Sequence, residues 1–307
     1  MFALSQQHLR RLCQINSFAV PDGDGLIFFG LRGLLPVNEN DHEFRLLHQV
    51  QAAAVDHLHP RCLIGQWNTA KGTLAVFPAS TTPCLKYLKT AKQKNGAGAN
   101  ELMTGFYKDY RKGIHKPGAM TGHEAFRQTS GRPIRRTADD FDFDTQDRVE
   151  FSNPHDNLHA SWSMGLSHDG FASAGCQVIV GYPKCERRGK LSDAGPWKTF
   201  KENAYRVPQH SFPYVLLTGR EAEQVAILGD QPLTSKLRFG SSGESVRKLQ
   251  SLLKRAGFYE GQSDGDFGER TLRAVLAYQI STFGDDADDG IVGPMTAGAL
   301  GLKLSKV

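Results

Sequence analysis

The stretch Asp264-Gly265-Asp266-Phe267-Gly268-Glu269-Arg270-Thr271 decides the fold of the C-terminal part of the chain, and it recurs as Asp289-Gly290-Ile291-Val292-Gly293-Pro294-Met295-Thr296. In both copies Asp-Gly suits a tight turn in which the glycine takes a positive φ. The apolar residue, Phe267 or Val292, is expected to fill a small core. The threonine falls in the opening turn of a helix. The repeat therefore predicts two equivalent turns that brace a compact helical unit.

Apolar residues recur at helical spacing around these turns. A first helix is predicted from Gly243 to Ala256, with Gly257 where a C-terminal cap belongs. Its apolar positions are Val246, Leu249, Leu252, Leu253 and Ala256. A second helix is predicted to start near Thr271, with Leu272, Val275, Leu276 and Ile280 on one face. The pattern is typical of a small three-helix domain.

From about Phe239 to Leu302 the sequence resembles the peptidoglycan-binding domain appended to many bacterial cell-wall enzymes. The resemblance rests on Gly243-x-x-Val246-x-x-Leu249-Gln250-x-x-Leu253, on Gly257-Phe258-Tyr259-x-Gly261, on the two repeated turns, and on Ala274-Val275-x-x-Tyr278-Gln279. Nearly all of these are core or turn positions, so they identify the fold better than the binding residues. The resemblance implies peptidoglycan as the partner.

Composition narrows the remaining possibilities. The 307 residues carry a formal net charge of +5 from dispersed basic residues, which does not favour nucleic acid as a partner. Five cysteines are an odd number without paired C-x-x-C spacing, which argues against a disulfide framework or a structural zinc site. No apolar run is long enough for a membrane span.

The N-terminus lacks the pattern of a Sec signal peptide. An enzyme that acts at the cell wall or in the periplasm is then expected to leave by another route or to be injected into a target cell. This favours a secreted antibacterial effector, for which a secretion apparatus and an immunity protein would be partners. A phage-type lysin is an alternative.

The composition of the sequence changes near Arg238, where Gly, Asp and short amphipathic runs become frequent. This predicts a catalytic domain over residues 1–228, a linker over 229–237 and the peptidoglycan-binding domain over 238–307. In the larger domain a helix is expected from Phe44 through His57, and a loop-rich insertion from Gly96 to Arg148. Predicted strands are Leu26–Phe29, Thr73–Phe77, Cys176–Val180 and Pro213–Leu217. The fold class is therefore a mainly β catalytic domain with a loop-rich insertion, followed by a small all-α three-helix domain.

One His and one Cys in the larger domain have the residue types of a thiol enzyme. They lie in Leu158-His159-Ala160 and Ser173-Ala174-Gly175-Cys176-Gln177. A thiol is a nucleophile only as the thiolate, and an imidazole is the usual base that generates it. A lone cysteine is also commonly a buried small hydrophobe, and His155 or His168 could replace His159 as the base.

The pair resembles the centre of YkuD-type L,D-transpeptidases, in which a histidine precedes a Ser/Thr-His-Gly-Cys element at a similar distance. Gly72-Thr73-Leu74-x-Val76-Phe77-Pro78 also resembles a strand and turn of that fold, a β-sandwich or barrel. In this chain Ala160 and Ala174 replace a usual glycine and histidine.

This resemblance implies that Cys176 attacks a peptide carbonyl of the peptidoglycan stem and that His159 accepts its proton. The carbonyl of Ala160 would orient the base, and the backbone N–H groups of Gly175 and Cys176 would face the oxyanion. Ser173 would support the thiolate or the substrate. Neither a metal nor an organic cofactor is implied. The products would be those of transpeptidation or of L,D-carboxypeptidase or endopeptidase hydrolysis.

Two alternatives remain open. His155 and His159, four residues apart, with His168 or Asp169, would suit a zinc-dependent peptidoglycan hydrolase, although Asn153 and Pro154 suggest a loop there. A non-catalytic wall-binding protein is the other alternative, and it predicts that replacing Cys176 changes nothing.

Overall fold

The computed structural model describes residues 1–23, 25–94, 98–137 and 139–307. Residues 96, 97 and 138 of the predicted loop-rich insertion lie outside the described residues. The strands, in chain order, are β1 (Phe2–Ser5), β2 (Leu26–Arg32), β3 (Leu34–Pro36), β4 (Leu47–Ala52), β5 (Cys62–Asn68), β6 (Thr73–Ser80), β7 (Ala99–Leu102), β8 (Gly105–His115), β9 (His123–Gln128), β10 (Arg132–Thr137), β11 (Arg148–Ser152), β12 (Leu158–Ala160), β13 (Gln177–Ile179) and β14 (Ser211–Thr218). The helices are α1 (Gln6–Ile15), α2 (Leu85–Lys94), α3 (Pro196–Arg206), α4 (Gly219–Leu228), α5 (Glu244–Arg255), α6 (Glu269–Phe283) and α7 (Pro294–Leu300).

A closed barrel in the order β12-β13-β6-β5-β2-β14-β8-β9 forms the centre of the larger domain. Most neighbours are antiparallel, whereas β2 with β14 and β12 with β13 are parallel. Two small sheets, β1-β4-β3 and β11-β10-β7, complete the β structure. The mainly β class predicted for this part of the chain is confirmed.

Both faces of strand β2 are apolar, because each face packs against a different core. Side chains alternate along a strand. In β2, Leu26 and Phe28 pack with α3 in one cluster. Ile27 and Phe29 pack in a second cluster with residues of α1 and α4. Burial on both faces explains why β2 reads as a continuous apolar run rather than as an alternating strand.

The helix expected from Phe44 through His57 is wrong. Residues 47–52 form β4, in which His48 and Val50 are buried while Leu47 and Gln49 are exposed. This alternation has the period of a strand, and β4 pairs with both β1 and β3. Pairing with two neighbours outweighs the local helical spacing of the apolar residues.

The loop-rich insertion predicted from Gly96 to Arg148 is also wrong in its described part. It contains β7 to β10, and β8 and β9 are strands of the barrel itself. The Gly- and Arg-rich sequence lacks the local pattern typical of strands, yet β8 and β9 form a long hairpin in which His115 pairs with His123. Fold-level pairing, rather than local periodicity, makes these residues β structure.

The C-terminal part has the three predicted helices, α5 to α7, around one core. Phe267 and Val292 are almost completely buried, as the repeat requires. Gly265 and Gly290 take φ values of +82° and +71°, the region in which only glycine is free of strain. The all-α class predicted for this part is confirmed.

Residues of the expected linker are hydrogen-bonded into their surroundings. The N–H of Lys236 donates to the carbonyl of Ile15, and the N–H of Leu237 donates to that of Val292. Phe239 then contacts Tyr107 and Phe151 of the larger domain. In the described part of the chain, no helix has the length and apolar character needed to cross a membrane.

Candidate active site

The parallel pair of β12 and β13 brings the predicted base and nucleophile together. His159 is the middle residue of β12, opposite Val178, and Cys176 immediately precedes β13. Parallel neighbours need a crossover of a dozen or more residues, which residues 161–176 provide. The spacing of the two motifs therefore follows from strand pairing.

His159 has the hydrogen bonding of a base. Its Nδ1 lies 2.8 Å from the carbonyl oxygen of Ala160, which can only accept, so the neutral ring carries its proton on Nδ1. The opposite nitrogen, Nε2, is buried and has no hydrogen-bond partner among the described residues. Burial lowers the pKa of His159 well below its usual value, and the neighbouring His115 and His123 lower it further. The resting imidazole is therefore neutral, with a free lone pair on Nε2.

The thiol of Cys176 lies near the rings of His159 and His115. One ring nitrogen of His159, one of His115 and the Sγ of Cys176 all lie within 4.8 Å of one another. Burial, followed by the nearby carboxyl group of Asp156, raises the pKa of Cys176 above its usual value. The resting pair is therefore a thiol and a neutral imidazole rather than a preformed thiolate–imidazolium pair.

The turn before Cys176 is held by its own side chains. Ser173 Oγ donates to the carbonyl of Cys176 at 2.7 Å and accepts the N–H of Gly175 at 3.2 Å. Gln177 Nε2 donates to the carbonyl of Gly175 at 3.3 Å, and Tyr214 donates to Gln177 Oε1. Ser173 thus shapes the turn. The N–H of Gly175 is already engaged, whereas that of Cys176 has no backbone acceptor in the described structure.

Three further residues belong to the site and were missed from the sequence. His115 stacks on His159 with ring centroids 4.0 Å apart, and His123 lies edge-on to His159 and tilted against His115. Asn157 Nδ2 donates to His115 Nδ1 at 2.9 Å. The turn signal Lys116-Pro117-Gly118 between the two histidines could have revealed the hairpin that places them side by side.

Asp156 is a buried carboxyl group behind the turn that precedes Cys176. Asn100 donates to one of its oxygens, and the other would be 2.7 Å from a Cβ placed on Gly175. Burial raises the pKa of Asp156 to about 7, although Arg136 and Arg132 oppose the shift. The charge next to Cys176 therefore changes close to neutral pH.

A pocket of about 760 Å³ opens over Cys176. Tyr87 and Trp162 contribute aromatic walls. The basic side chains that line it are Lys86, Lys116, Arg127 and Arg187. The only carboxyl group among its lining residues is that of Asp156. In the described part of the chain the pocket therefore has a positive rim, suited to a peptide that carries carboxylates.

The structure places the competing histidines differently from His159. The side chain of His155 is exposed at the pocket, and its backbone carbonyl lies 3.8 Å from Cys176 Sγ. His168 is exposed and does not line the pocket. In the described residues, His155, His168 and Asp169 do not join His159 in a cluster with metal-ligand spacing; His115 and Cys176 do.

Comparison with known proteins bears on the C-terminal part. Residues 242–300 match the model of the family described as a putative peptidoglycan binding domain. No solved structure matches the chain. The matched residues contain α5, α6, α7 and both repeated turns. Residues 242–300 therefore form a peptidoglycan-binding domain, packed against a mainly β domain that carries the His–Cys site.

Proposed function

We propose that the chain is a cysteine enzyme that modifies the stem peptides of peptidoglycan, of the L,D-transpeptidase, carboxypeptidase or endopeptidase type. The observation that carries the proposal is the His159 ring within 4.8 Å of the Cys176 thiol, with Nδ1 held by the carbonyl of Ala160 and a buried Nε2 that has no hydrogen-bond partner among the described residues. A base oriented on one side and open on the other is the arrangement that nucleophilic catalysis needs. The wall-binding domain directs this chemistry to peptidoglycan.

The first step transfers the thiol proton of Cys176 to His159 Nε2 as Sγ attacks a stem-peptide carbonyl. The carbon–sulfur bond forms while the carbonyl π electrons move to oxygen. When the tetrahedral intermediate collapses, the carbon–nitrogen bond breaks and the leaving amine takes the proton from His159. A thioester on Cys176 remains. An acceptor amine or water then attacks the thioester and gives its proton to His159, and His159 returns a proton to Sγ as the carbon–sulfur bond breaks. The amine gives a crosslink or an exchanged residue, and water gives hydrolysis.

Proton transfer has to accompany attack in this site. Because burial keeps Cys176 protonated and His159 neutral, charge separation before substrate binding is unfavourable. The substrate carbonyl supplies the place where the negative charge settles. The N–H of Cys176, which has no backbone acceptor in the described structure, is one donor available to that oxygen.

The pocket favours an anionic peptide as the substrate. Its basic rim can pair with the carboxylates of a peptidoglycan stem, and the aromatic rings of Tyr87 and Trp162 can cover the peptide backbone. Exposed pairs of this kind contribute little affinity individually but guide orientation and encounter.

Defined muropeptides with tetrapeptide and pentapeptide stems test the proposal. Metal-free protein, its Cys176→Ala variant and the matched control Cys185→Ala are incubated with them, and the products are read by mass. Cys185 is buried and does not line the pocket. We expect loss or exchange of a terminal residue, or a new dimer, from wild type and Cys185→Ala only. Equal products from Cys176→Ala would rule out the thiol mechanism, and no product from any protein would favour a wall-binding role.

A zinc-dependent hydrolase is the second candidate, because His115, His159 and Cys176 bring three groups that can bind zinc close together. Hydrogen bonding opposes it. Asn157 donates to His115 Nδ1, so the proton of the neutral ring lies on Nε2, where zinc would need a lone pair. Loss of activity in EDTA that zinc restores would favour the zinc enzyme over the thiol enzyme.

A further inference from the structure

The two stacked imidazoles of the site have opposite tautomers. Asn157 Oδ1 accepts the backbone N–H of Gln128 at 3.0 Å, which fixes the orientation of the amide. Asn157 Nδ2 therefore faces His115, and as a donor-only group it makes Nδ1 of His115 the acceptor. The proton of His115 is on Nε2, whereas that of His159 is on Nδ1.

His115 also stays neutral. Its pKa is lowered to about 3, mainly by burial and also by the neighbouring His123 and Lys116. A second proton would have to sit on Nδ1, against the N–H of Asn157. His115 is therefore unsuited to be the base, and it offers a fixed N–H donor on Nε2 instead.

The site offers one backbone donor fewer to the oxyanion than the sequence predicted. Two backbone N–H groups were expected to face the oxyanion, but that of Gly175 is bonded to Ser173 Oγ. His115 lines the pocket, and one of its ring nitrogens lies no more than 4.8 Å from Cys176 Sγ. The ring of His115 therefore lies close to the place where an oxyanion bonded to the same carbon as Sγ would form.

We propose that His115 is a catalytic residue of this site, which donates its Nε2–H to the oxyanion of the tetrahedral intermediate while His159 acts as the base. The inference rests on the proposed thiol chemistry. Asn157 is then a positioning residue, because it selects the tautomer of His115. The N–H of Cys176 and the Nε2–H of His115 form the pair of donors that such a centre requires.

Three variants test the role of His115 in single-turnover acylation by a muropeptide. His115→Phe keeps an aromatic ring against His159 and removes the donor. His115→Gln supplies an amide N–H. Asn157→Asp keeps the size of the side chain but makes it accept from His115 Nδ1, which moves the proton away from Nε2. Removal of one oxyanion donor typically lowers kcat about 10²- to 10³-fold.

We expect His115→Phe and Asn157→Asp to lower the acylation rate about 100-fold with little change in KM, and His115→Gln to recover part of the loss. His168→Gln, an exposed histidine outside the pocket, is the matched control and should acylate like wild type. An acylation rate in folded His115→Phe equal to that of wild type would overturn the inference. So would equal losses in His115→Phe and His115→Gln, which indicate a packing role.

A second readout needs no substrate. Long-range proton–nitrogen correlation spectra of labelled protein report which imidazole nitrogen is protonated. We expect Nε2–H for His115, Nδ1–H for His159, and a switch of His115 to Nδ1–H in Asn157→Asp. An Nδ1–H tautomer of His115 in wild type refutes the donor role whatever the activity. A wild-type protein that shows the expected tautomers but acylates with no muropeptide overturns the proposed function, and with it the catalytic role.

Discussion

At the residue scale, the chemistry of the site is set by which atoms are already bonded. His159 and His115 have the same side chain and stack on one another, yet Ala160 presents an acceptor to one and Asn157 a donor to the other. Neutral imidazole has one donor and one acceptor nitrogen, so each neighbour determines what the opposite nitrogen can do. The proposed division of roles between a base and a donor rests on these two contacts.

Asp156 makes the stability of the protein depend on pH. Its pKa is about 7 in the folded protein and about 4 when unfolded, so the folded state holds the proton more tightly. Its contribution to stability is complete below about pH 4 and is lost as the pH rises through 7. We expect this group to lower the free energy of unfolding by on the order of 2–4 kcal/mol between pH 5 and pH 8.

The Asp156→Asn variant should lack this component and show a flatter pH profile in urea unfolding. Wild type and variant are compared at both pH values, so that contributions from other groups cancel in the difference. The same fall in both proteins would contradict a buried, protonated Asp156.

At the element scale, the turn before Cys176 requires a glycine. Gly175 has φ +146°, and a Cβ there would overlap the amide of Asn100 and approach Asp156 to 2.7 Å. The turn cannot shift freely, because Ser173 and Gln177 hold both of its sides. The close approach of the Asn100–Asp156 pair to the backbone is therefore what requires glycine.

Gly175→Ala should distort this turn and lower the free energy of unfolding by about 1–3 kcal/mol. Ala174→Ser changes the exposed neighbouring position and should cost less than about 0.5 kcal/mol. Urea unfolding measures both. Equal stability of the two variants would show that the turn adapts to a side chain.

The repeated turns of the C-terminal domain share one support, a buried glutamine from the preceding helix. Gln250 Nε2 donates to Asp264, to the carbonyl of Asp266 and to Thr271, while Oε1 accepts the N–H of Gly265. Gln279 repeats this set at the second turn with the corresponding residues Asp289, Ile291, Thr296 and Gly290. The sequence repeat is thus a repeat of hydrogen-bonded turns.

Replacing Gln279 with Leu keeps the volume but leaves the N–H of Gly290 without its acceptor. A buried polar group without a partner costs about 1–3 kcal/mol, which sets the expected loss of stability. Ile280→Ala, at the exposed neighbouring position, is the control and should cost far less. Thermal unfolding of the full chain measures both. An unchanged Tm for Gln279→Leu would show that the turn does not need the glutamine.

At the scale of the whole molecule, the two domains are joined by buried polar contacts. Arg238 is 2% exposed, forms an ion pair with Glu221 of α4 and donates to Thr104 Oγ1 at 2.8 Å. Arg135 donates to the carbonyl of Asp288 at 2.6 Å. The wall-binding domain is therefore held against the domain that carries Cys176, rather than tethered to it by a free linker.

Arg238→Ala should destabilise the protein by about 3–5 kcal/mol, because it leaves Glu221 buried without its partner. Lys236→Ala removes a more exposed cation 3.7 Å from the same carboxylate and should cost no more than about 1 kcal/mol. Scanning calorimetry of the full chain measures the stability of both variants. A loss no larger for Arg238→Ala than for Lys236→Ala would mean that Glu221 is reached by water.

The sequence by itself determined the features that depend on near neighbours along the chain. The C-terminal domain could be predicted because each glutamine, turn and threonine lie within one helix, the following turn and the start of the next helix. The spacing of His159 and Cys176 likewise reflects one strand–crossover–strand unit. Only the tertiary structure decided the closure of the barrel, the strand nature of residues 47–52 and of the hairpin ending in His115 and His123, and the tautomers of the imidazoles. Those features depend on pairing and hydrogen bonds between distant segments, which no local pattern records.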